Sequence, residues 1–307
     1  SICADGLVKG TTLQLTHWSG NETPLQFKED LSTEICLRWN RFKDSGAKKY
    51  DDAAVVNNHF DTDGIMSVFA LLHPDKAEEY SDLMVEAAAA GDFEEWGWLS
   101  DGVKLDLALT KLAEDAGSDE EAYKVLLPQL EDIMKNIDER EDLWGEGLRV
   151  LEEAEERISD GVVDTFRVED EKKSYNHAGA KMGDTGVFVH PPGCPETPGL
   201  VISRTFPWTL EGMGESVTRI LMAFDQGDGT WHYRYEKPRY AWAETSKRPA
   251  VPKPAGELVS KLGKDWTDKE LGGMTGICKT LSPVRMQPGQ VAMFLQTAER
   301  SLIPRLA

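Results

Sequence analysis

The stretch AAVVNNHFDTDGIMSVFALL, residues 53–72, changes character in its middle. Its first part, AAVVNNHF, reads as a strand, and GIMSVFALL is an apolar run closed before Pro74, as a helix would be. Between them His59, Asp61 and Asp63 fall at every second position and are followed by Gly64. Continued strand geometry would put the three side chains on one face. One imidazole and two carboxylates are thus expected to converge just outside a sheet, with Gly64 permitting a sharp turn. These three are the candidate metal ligands and catalytic groups. An oxygen-rich set with one or two histidines suits Mn²⁺ first, with Mg²⁺ or Zn²⁺ as alternatives. The following helix would aim free backbone N–H groups from Gly64 onward, and Ser67 in its first turn, at an anion held there.

Working outward, TTLQLTHW (11–18) alternates apolar and polar residues, which predicts a strand ending near His17, and SGNETP is a turn. PLQFKEDLSTEICLRWNRF (24–42) is the next predicted helix. Strand, helix, strand, helix implies a parallel sheet whose ligands gather at the C-terminal strand ends, where His17 and the 59–63 cluster both fall. KAEEYSDLMVEAAAA (76–90) is helical and stops at Gly91. Residues 118–161 are also helical, with Ser118 and Glu121 as a capping box. Leu126, Leu130, Ile133 and Ile137, then Leu148, Leu151 and Ile158, form core-facing stripes. Pro128 and Gly145 interrupt the pattern a coiled coil would need.

From residue 162 the texture turns to short β-like runs: VVDTFRV, TGVFVH, GLVISRTF, SVTRILMAF and TWHYRYE. The last two flank DQGDG, a hairpin signal. A Pro-rich connector, KRPAVPKPAG, leads to the helix ELVSKLGKDW, a Gly-rich stretch ELGGMTGICKTLSP and a final amphipathic segment. The expected fold class is α/β: a Rossmann-like parallel-sheet domain over 1–161 carrying the metal site, and a smaller β-rich α+β substrate or cap domain over 162–307.

The chain has 307 residues and a formal net charge of −20, which opposes duplex nucleic acid as a partner because phosphate binding runs on Lys and Arg. A small anionic substrate remains open. No apolar run is long enough to span a membrane. The first twenty residues lack a basic start followed by an apolar core, so a cytoplasmic protein is expected. Cys3, Cys36, Cys194 and Cys278 form no CxxC pair and read as reduced thiols. A homodimer is compatible with all of this. Trp96 and Trp98 read as core-packing residues, with base stacking the alternative. An EF-hand is excluded because the twelfth position from His59 is Ala70.

HFDTDGIMSVFALL resembles the first motif of the DHH phosphoesterase superfamily, whose members include RecJ-like nucleases and, more remotely, family II inorganic pyrophosphatases. The shared pattern is a strand, H-x-D-x-D-G, two residues, Ser, then a helix, and the match covers about 18 residues. The resemblance implies that His59, Asp61 and Asp63 hold a pair of divalent metals, usually Mn²⁺, whose bridging hydroxide attacks phosphorus. The Asp-His-His triplet that completes the site in that superfamily does not occur in this chain. A replacement set is therefore expected from His17 and Asp92, with His177 and His190 in reserve. FDTDGIM also resembles the first motif of haloacid dehalogenase-type phosphatases, which would make Asp61 a nucleophile and Asp63 a general acid/base. A third reading is a DHH-like protein that binds a ligand or partner without catalysis.

Overall fold

The chain begins in the middle of its own first sheet. Ile2–Ala4 (β1) pairs in parallel with Leu13–Leu15 (β2) on one side and Val55–Val56 (β3) on the other, giving the order β2-β1-β3. The computed structural model describes residues 1–43, 45–98, 100–170, 183–207, 217–248, 255–268 and 277–302. The parallel sheet is the one expected, but its strands are shorter than their sequence signals, and its central strand carries no such signal. Ile2, Cys3 and Ala4 are all buried, so β1 shows no alternation to read.

The chain divides into two compact units, Ser1–Glu152 with Ala243–Lys247, and Glu153–Trp242 with Arg248–Ala307. Around the parallel sheet the first unit carries Ser32–Phe42 (α1), Thr62–Leu72 (α2), Pro74–Glu79 (α3), Ser81–Phe93 (α4), Ser100–Ala116 (α5), Asp119–Leu126 (α6) and Leu130–Lys135 (α7). Glu141–Ser159 (α8) contains the division. The helix expected from Pro24 is a single 3-10 turn at Leu25–Phe27 followed, after a break, by α1. That break leaves the Ser32 and Thr33 amides free for a partner outside the helix. Ser118 caps α6 by accepting the Glu121 amide at 3.3 Å. Leu126, Leu130, Ile133 and Ile137 are buried as their spacing predicts, packing with Leu15, Ile35 and Phe69. Leu148 and Ile158 are only half-buried.

Ala243–Lys247 returns to this unit from far down the chain. Glu244 donates its amide to the His17 carbonyl at 2.8 Å, and Lys247 donates its amide to Asp30 Oδ1 at 2.7 Å. Glu244 also pairs with Lys28 at 2.8 Å.

The second unit is a six-stranded mixed sheet. Its strands are Asp164–Val168 (β4), Asp184–His190 (β5), Val217–Asp225 (β6), Trp231–Glu236 (β7), Trp266–Thr267 (β8) and Cys278–Thr280 (β9), in the order β4-β5-β6-β7-β9-β8. Only β5 and β6 run parallel. The hairpin expected at DQGDG joins β6 to β7, with Asp225 accepting the Gly227 amide at 2.8 Å. GLVISRTF, expected as a strand, is instead the helix Gly199–Thr205 (α9). A short apolar run does not distinguish strand from buried helix, and Pro198 at its entry favours the helix. Ala255–Leu262 (α10) and Pro288–Arg300 (α11) complete the unit. Val291, Ala292 and Leu295 of α11 pack on Leu221, Ala223 and Tyr235 of the sheet.

Trp98 is 98% exposed, against its expected burial, and Trp96 is half-buried. His177 and the first half of the Gly-rich stretch, residues 270–276, lie outside the described residues. Among the described residues no helix is long and apolar enough to cross a membrane.

Candidate metal centre

Each strand of the parallel sheet delivers one polar residue just past its C-terminal end: Asp5 after β1, His17 after β2 and His59 after β3. Asp5 adopts φ +52, a left-handed conformation that Asp tolerates better than most side chains. Its Oδ1 accepts the Ser32 hydroxyl at 2.8 Å.

His17 Nδ1 lies 2.7 Å from the Asp30 carbonyl oxygen. A carbonyl only accepts, so Nδ1 carries the proton. Nε2 then points at three carboxylates: Asp92 Oδ2 at 3.2 Å, Asp5 Oδ1 at 3.7 Å and Asp63 Oδ2 at 3.7 Å. His59 Nε2 faces Asp61 Oδ2 at 2.9 Å and Asp5 Oδ2 at 3.2 Å, while its Nδ1 is 3.2 Å from Asn58 Oδ1. Asp5 thus gives one oxygen to each imidazole and links two half-sites. Asp5, His17 and Asp63 form one group with ligand atoms within 4.8 Å of one another, and Asp5, His59 and Asp61 form a second.

The convergence of His59, Asp61 and Asp63 does not come from strand alternation. β3 ends at Val56, His59 lies in the loop, Asp61 is the N-cap of α2 and Asp63 sits in its first turn. Asp61 Oδ1 accepts the Gly64 amide at 2.7 Å. Asp63 instead reaches across to α1, its two oxygens accepting the Ser32 amide at 2.8 Å and the Thr33 amide at 2.7 Å. Helix-start amides stabilise a carboxylate in that position. Asp92 comes from the last turn of α4 with its side chain 5% exposed.

Gly64 lies inside α2 and is not a turn. A Cβ there would meet Asn57 Nδ2 at 2.6 Å, Tyr123 Oη at 2.8 Å and Asp61 Oδ1 at 2.9 Å, so the close approach of these groups requires glycine. Its amide is already given to Asp61. Ser67 falls in the second turn of α2 and is wholly buried, away from where an anion at the helix start would sit. His190 belongs to the second unit, where Nε2 pairs with the Thr197 hydroxyl at 2.9 Å and the ring stacks on Phe224.

Crowding sets the electrostatics. Burial alone would lower the pKa of His17, but Asp92, Asp63 and Asp5 carry it up to about 10. Burial works the same way on His59, and Asp5 and Asp61 overcome it, again to about 10. Burial, then the charge of Asp5, pushes Asp63 up to about 7. Burial and the charge of Asp61 push Asp92 well above the carboxylate range. Asp5, between the two imidazoles, is held below that range in spite of its burial.

These residues suit a cation. In its neutral form each Nδ1-protonated imidazole presents a lone pair to carboxylate oxygens, placing acceptor against acceptor. A positive charge between them resolves the conflict, and an Nδ1–H fixed by a carbonyl is the usual setting of a metal-binding histidine. Asp5 Oδ2 and Asp92 Oδ2 are buried without a well-aligned hydrogen bond, as spare ligand oxygens would be.

Asp5 is the member that sequence reasoning missed. Its signal was present in ICADG, an apolar run closed by Asp-Gly, the same punctuation that ends the 59–64 cluster.

The fold and site define a class: an α/β chain with a carboxylate–imidazole centre able to hold metal at the C-terminal edge of a parallel sheet. Residues 1–264 match the model of the family described as "Family of unknown function (DUF6687)", and the chain belongs to that family. No curated protein and no solved structure matches it.

Proposed function

We propose that this chain is a metal-dependent hydrolase acting on a small anionic substrate, with phosphoesters the first class to test and Mn²⁺ the first metal. The observation that carries the reading is the pair of imidazole Nε2 atoms turned toward four carboxylates around the shared Asp5. On this reading Asp5, His17 and Asp92 supply the ligand types that the missing Asp-His-His triplet provides in the DHH superfamily, and His59, Asp61 and Asp63 keep the roles that the resemblance gives them. A bound divalent cation acidifies its water and so supplies a hydrolytic nucleophile near neutral pH.

The chain's own residues hold and orient. The Asp30 carbonyl sets the tautomer of His17, and the α1 amides fix Asp63. The side chains of Asp61 and His59 are 37% and 24% exposed, whereas Asp5, His17, Asp63 and Asp92 are at most 5% exposed. Substrate therefore approaches at Asp61 and His59. The haloacid dehalogenase-like alternative needs Asp63 as a mobile proton carrier, and a carboxylate with both oxygens held by amides is poorly suited to that.

Metal analysis of protein purified without chelator, calorimetric titration with Mn²⁺, Mg²⁺ and Zn²⁺, and a phosphoester screen test the reading. We expect a bound ion that raises the melting temperature, turnover lost in Asp61→Asn, and solvent ¹⁸O in the product with no aspartyl-phosphate. If none of the three ions binds or stabilises, the hydrolase reading fails and a non-catalytic binding protein replaces it.

A further inference from the structure

The sequence offers Gly64 and Ser67 as donors for an anion at the centre, and the structure leaves neither available. The Gly64 amide is given to Asp61, and Ser67 is wholly buried. Among the described residues, Asp5, Asp61, Asp63 and Asp92 form ion pairs with His17 and His59 and with no Lys or Arg. An anionic group arriving at Asp61 and His59 therefore needs a neutral donor from elsewhere in the unit.

Tyr123 stands in the right place. It lies on α6, behind the Ser118 cap, and is half-buried. Three polar atoms close around Gly64: a Cβ there would lie 2.8 Å from Tyr123 Oη, 2.9 Å from Asp61 Oδ1 and 2.6 Å from Asn57 Nδ2. The hydroxyl is thus a close neighbour of Asp61, the most exposed of the four carboxylates. Phe60 holds the Tyr123 ring edge-on at 5.1 Å between centroids.

Asn57 sets the direction of the hydroxyl. Its Nδ2 donates to Tyr123 Oη at 3.0 Å, and no described residue accepts the hydroxyl's own proton. The amide is itself held, because Asn57 Oδ1 accepts the Asn58 amide at 2.7 Å, which turns Nδ2 toward Tyr123. Glycine at position 6 leaves room for that oxygen, since a Cβ there would approach it to 2.6 Å. Both Asp61 oxygens are engaged elsewhere, by the Gly64 amide at 2.7 Å and by His59 at 2.9 Å. A phenol, with a pKa of about 10 in water, keeps its proton at neutral pH. A neighbour that donates to its oxygen strengthens it as a donor in turn.

We propose that the Tyr123 hydroxyl is a substrate-binding donor, giving its hydrogen bond to an oxygen of the anionic group held at Asp61 and His59. Asn57 is the positioning residue that aims it. The assignment rests on the hydrolase reading and names the group of this chain that meets the substrate's anion.

The test is calorimetry on the full chain loaded with Mn²⁺, with inorganic phosphate as the probe. Tyr123→Phe, which keeps the ring against Phe60, should leave Mn²⁺ affinity unchanged and weaken phosphate about tenfold, as loss of a hydrogen bond to a charged group does. Asn57→Ala should weaken phosphate about threefold when Tyr123 is present and add nothing in the Tyr123→Phe background. Equal phosphate affinity in the unmodified chain and Tyr123→Phe, or no phosphate binding by the Mn²⁺-loaded chain, overturns the assignment and leaves the metal centre standing. Phosphate binding that is the same with and without Mn²⁺ also overturns it. A parallel loss of Mn²⁺ affinity in Tyr123→Phe would make Tyr123 a support of the centre and not a substrate donor. If the unmodified chain binds no divalent ion, the hydrolase reading fails and the assignment falls with it.

Discussion

Around Glu299 the second unit buries charge that is answered within the chain. Glu299 Oε2 takes Arg219 Nε at 2.6 Å, and its Oε1 takes the Tyr235 hydroxyl at 2.7 Å and meets Lys237 Nζ. Asp170 lies 3.2 Å from Arg219 and 2.5 Å from Arg300. Around Asp5 the first unit gathers three carboxylates of similarly low exposure, Asp5, Asp63 and Asp92, with the more exposed Asp61 beside them, and only two imidazoles face the four. The first of these networks therefore has its charges matched within the chain and ties α11 to the sheet. The second reaches balance only by holding extra protons or by taking up a cation. Buried charge whose counter-charge is missing is what makes the Asp5 cluster the candidate site.

The largest effect expected from breaking this contrast is in the balanced network. Glu299→Ala leaves Arg219 and Lys237 buried without their shared partner and should cost about 3–5 kcal/mol in urea unfolding. In the unbalanced cluster the loss should appear in metal binding. Asp5→Asn removes the one ligand common to both half-sites and should lower Mn²⁺ affinity by more than about a hundredfold, beyond what loss of a supporting hydrogen bond costs.

The two clusters should also respond to pH in opposite directions. His17 and His59 are raised from 6.5 to about 10, so in chelator their stabilisation is complete below pH 6.5 and lost as pH climbs toward 10. Asp63, raised from 3.8 to about 7, adds a loss of the same sign between those values. Glu299 is held down at about 2 by Lys237 and Arg219 against its burial, so its contribution is complete above pH 4.5 and lost toward pH 2. Melting curves in chelator should fall on the alkaline side through the first unit and on the acid side through the second. Saturating Mn²⁺ should flatten the alkaline fall, since the metal displaces the imidazole protons.

The smallest effect is the most discriminating. Asp92→Asn removes one of the crowded carboxyls, whose pKa burial and the charge of Asp61 push up, and should raise the melting temperature of the metal-free protein slightly while weakening Mn²⁺ binding. A destabilised metal-free variant would mean that the Asp5 cluster is as balanced as the Glu299 network.

Much of this was legible where one physical signal dominated. The apolar spacing of Leu126 to Ile137, the Ser118 cap and the DQGDG hairpin all depend on local rules. The site was legible as residue types, because the H-x-D-x-D-G chemistry is unusual, but its geometry was not. Asp61 and Asp63 reach the centre through helix-start hydrogen bonds, one of them to a different helix, and no periodicity encodes that. β1 was hidden because a three-residue buried strand has no alternation, which left Asp5 marked only by the Asp-Gly that closes it.

The return of Ala243–Lys247 to the first unit gives the centre a birth order. Residues 1–152 leave the ribosome with every candidate ligand already made, yet the amide that fastens the His17 carbonyl and those that anchor Asp30 arrive only with Glu244 to Lys247. At about 5–20 residues per second the nascent unit waits on the order of ten seconds for that brace. During this interval the Asp30 side chain lacks the Ser246 and Lys247 amides that it accepts in the finished fold. The candidate centre is thus finished after the second unit's first four strands have been synthesised, and a shortened chain ending before residue 243 would carry all six candidate ligands without the clasp behind one of them.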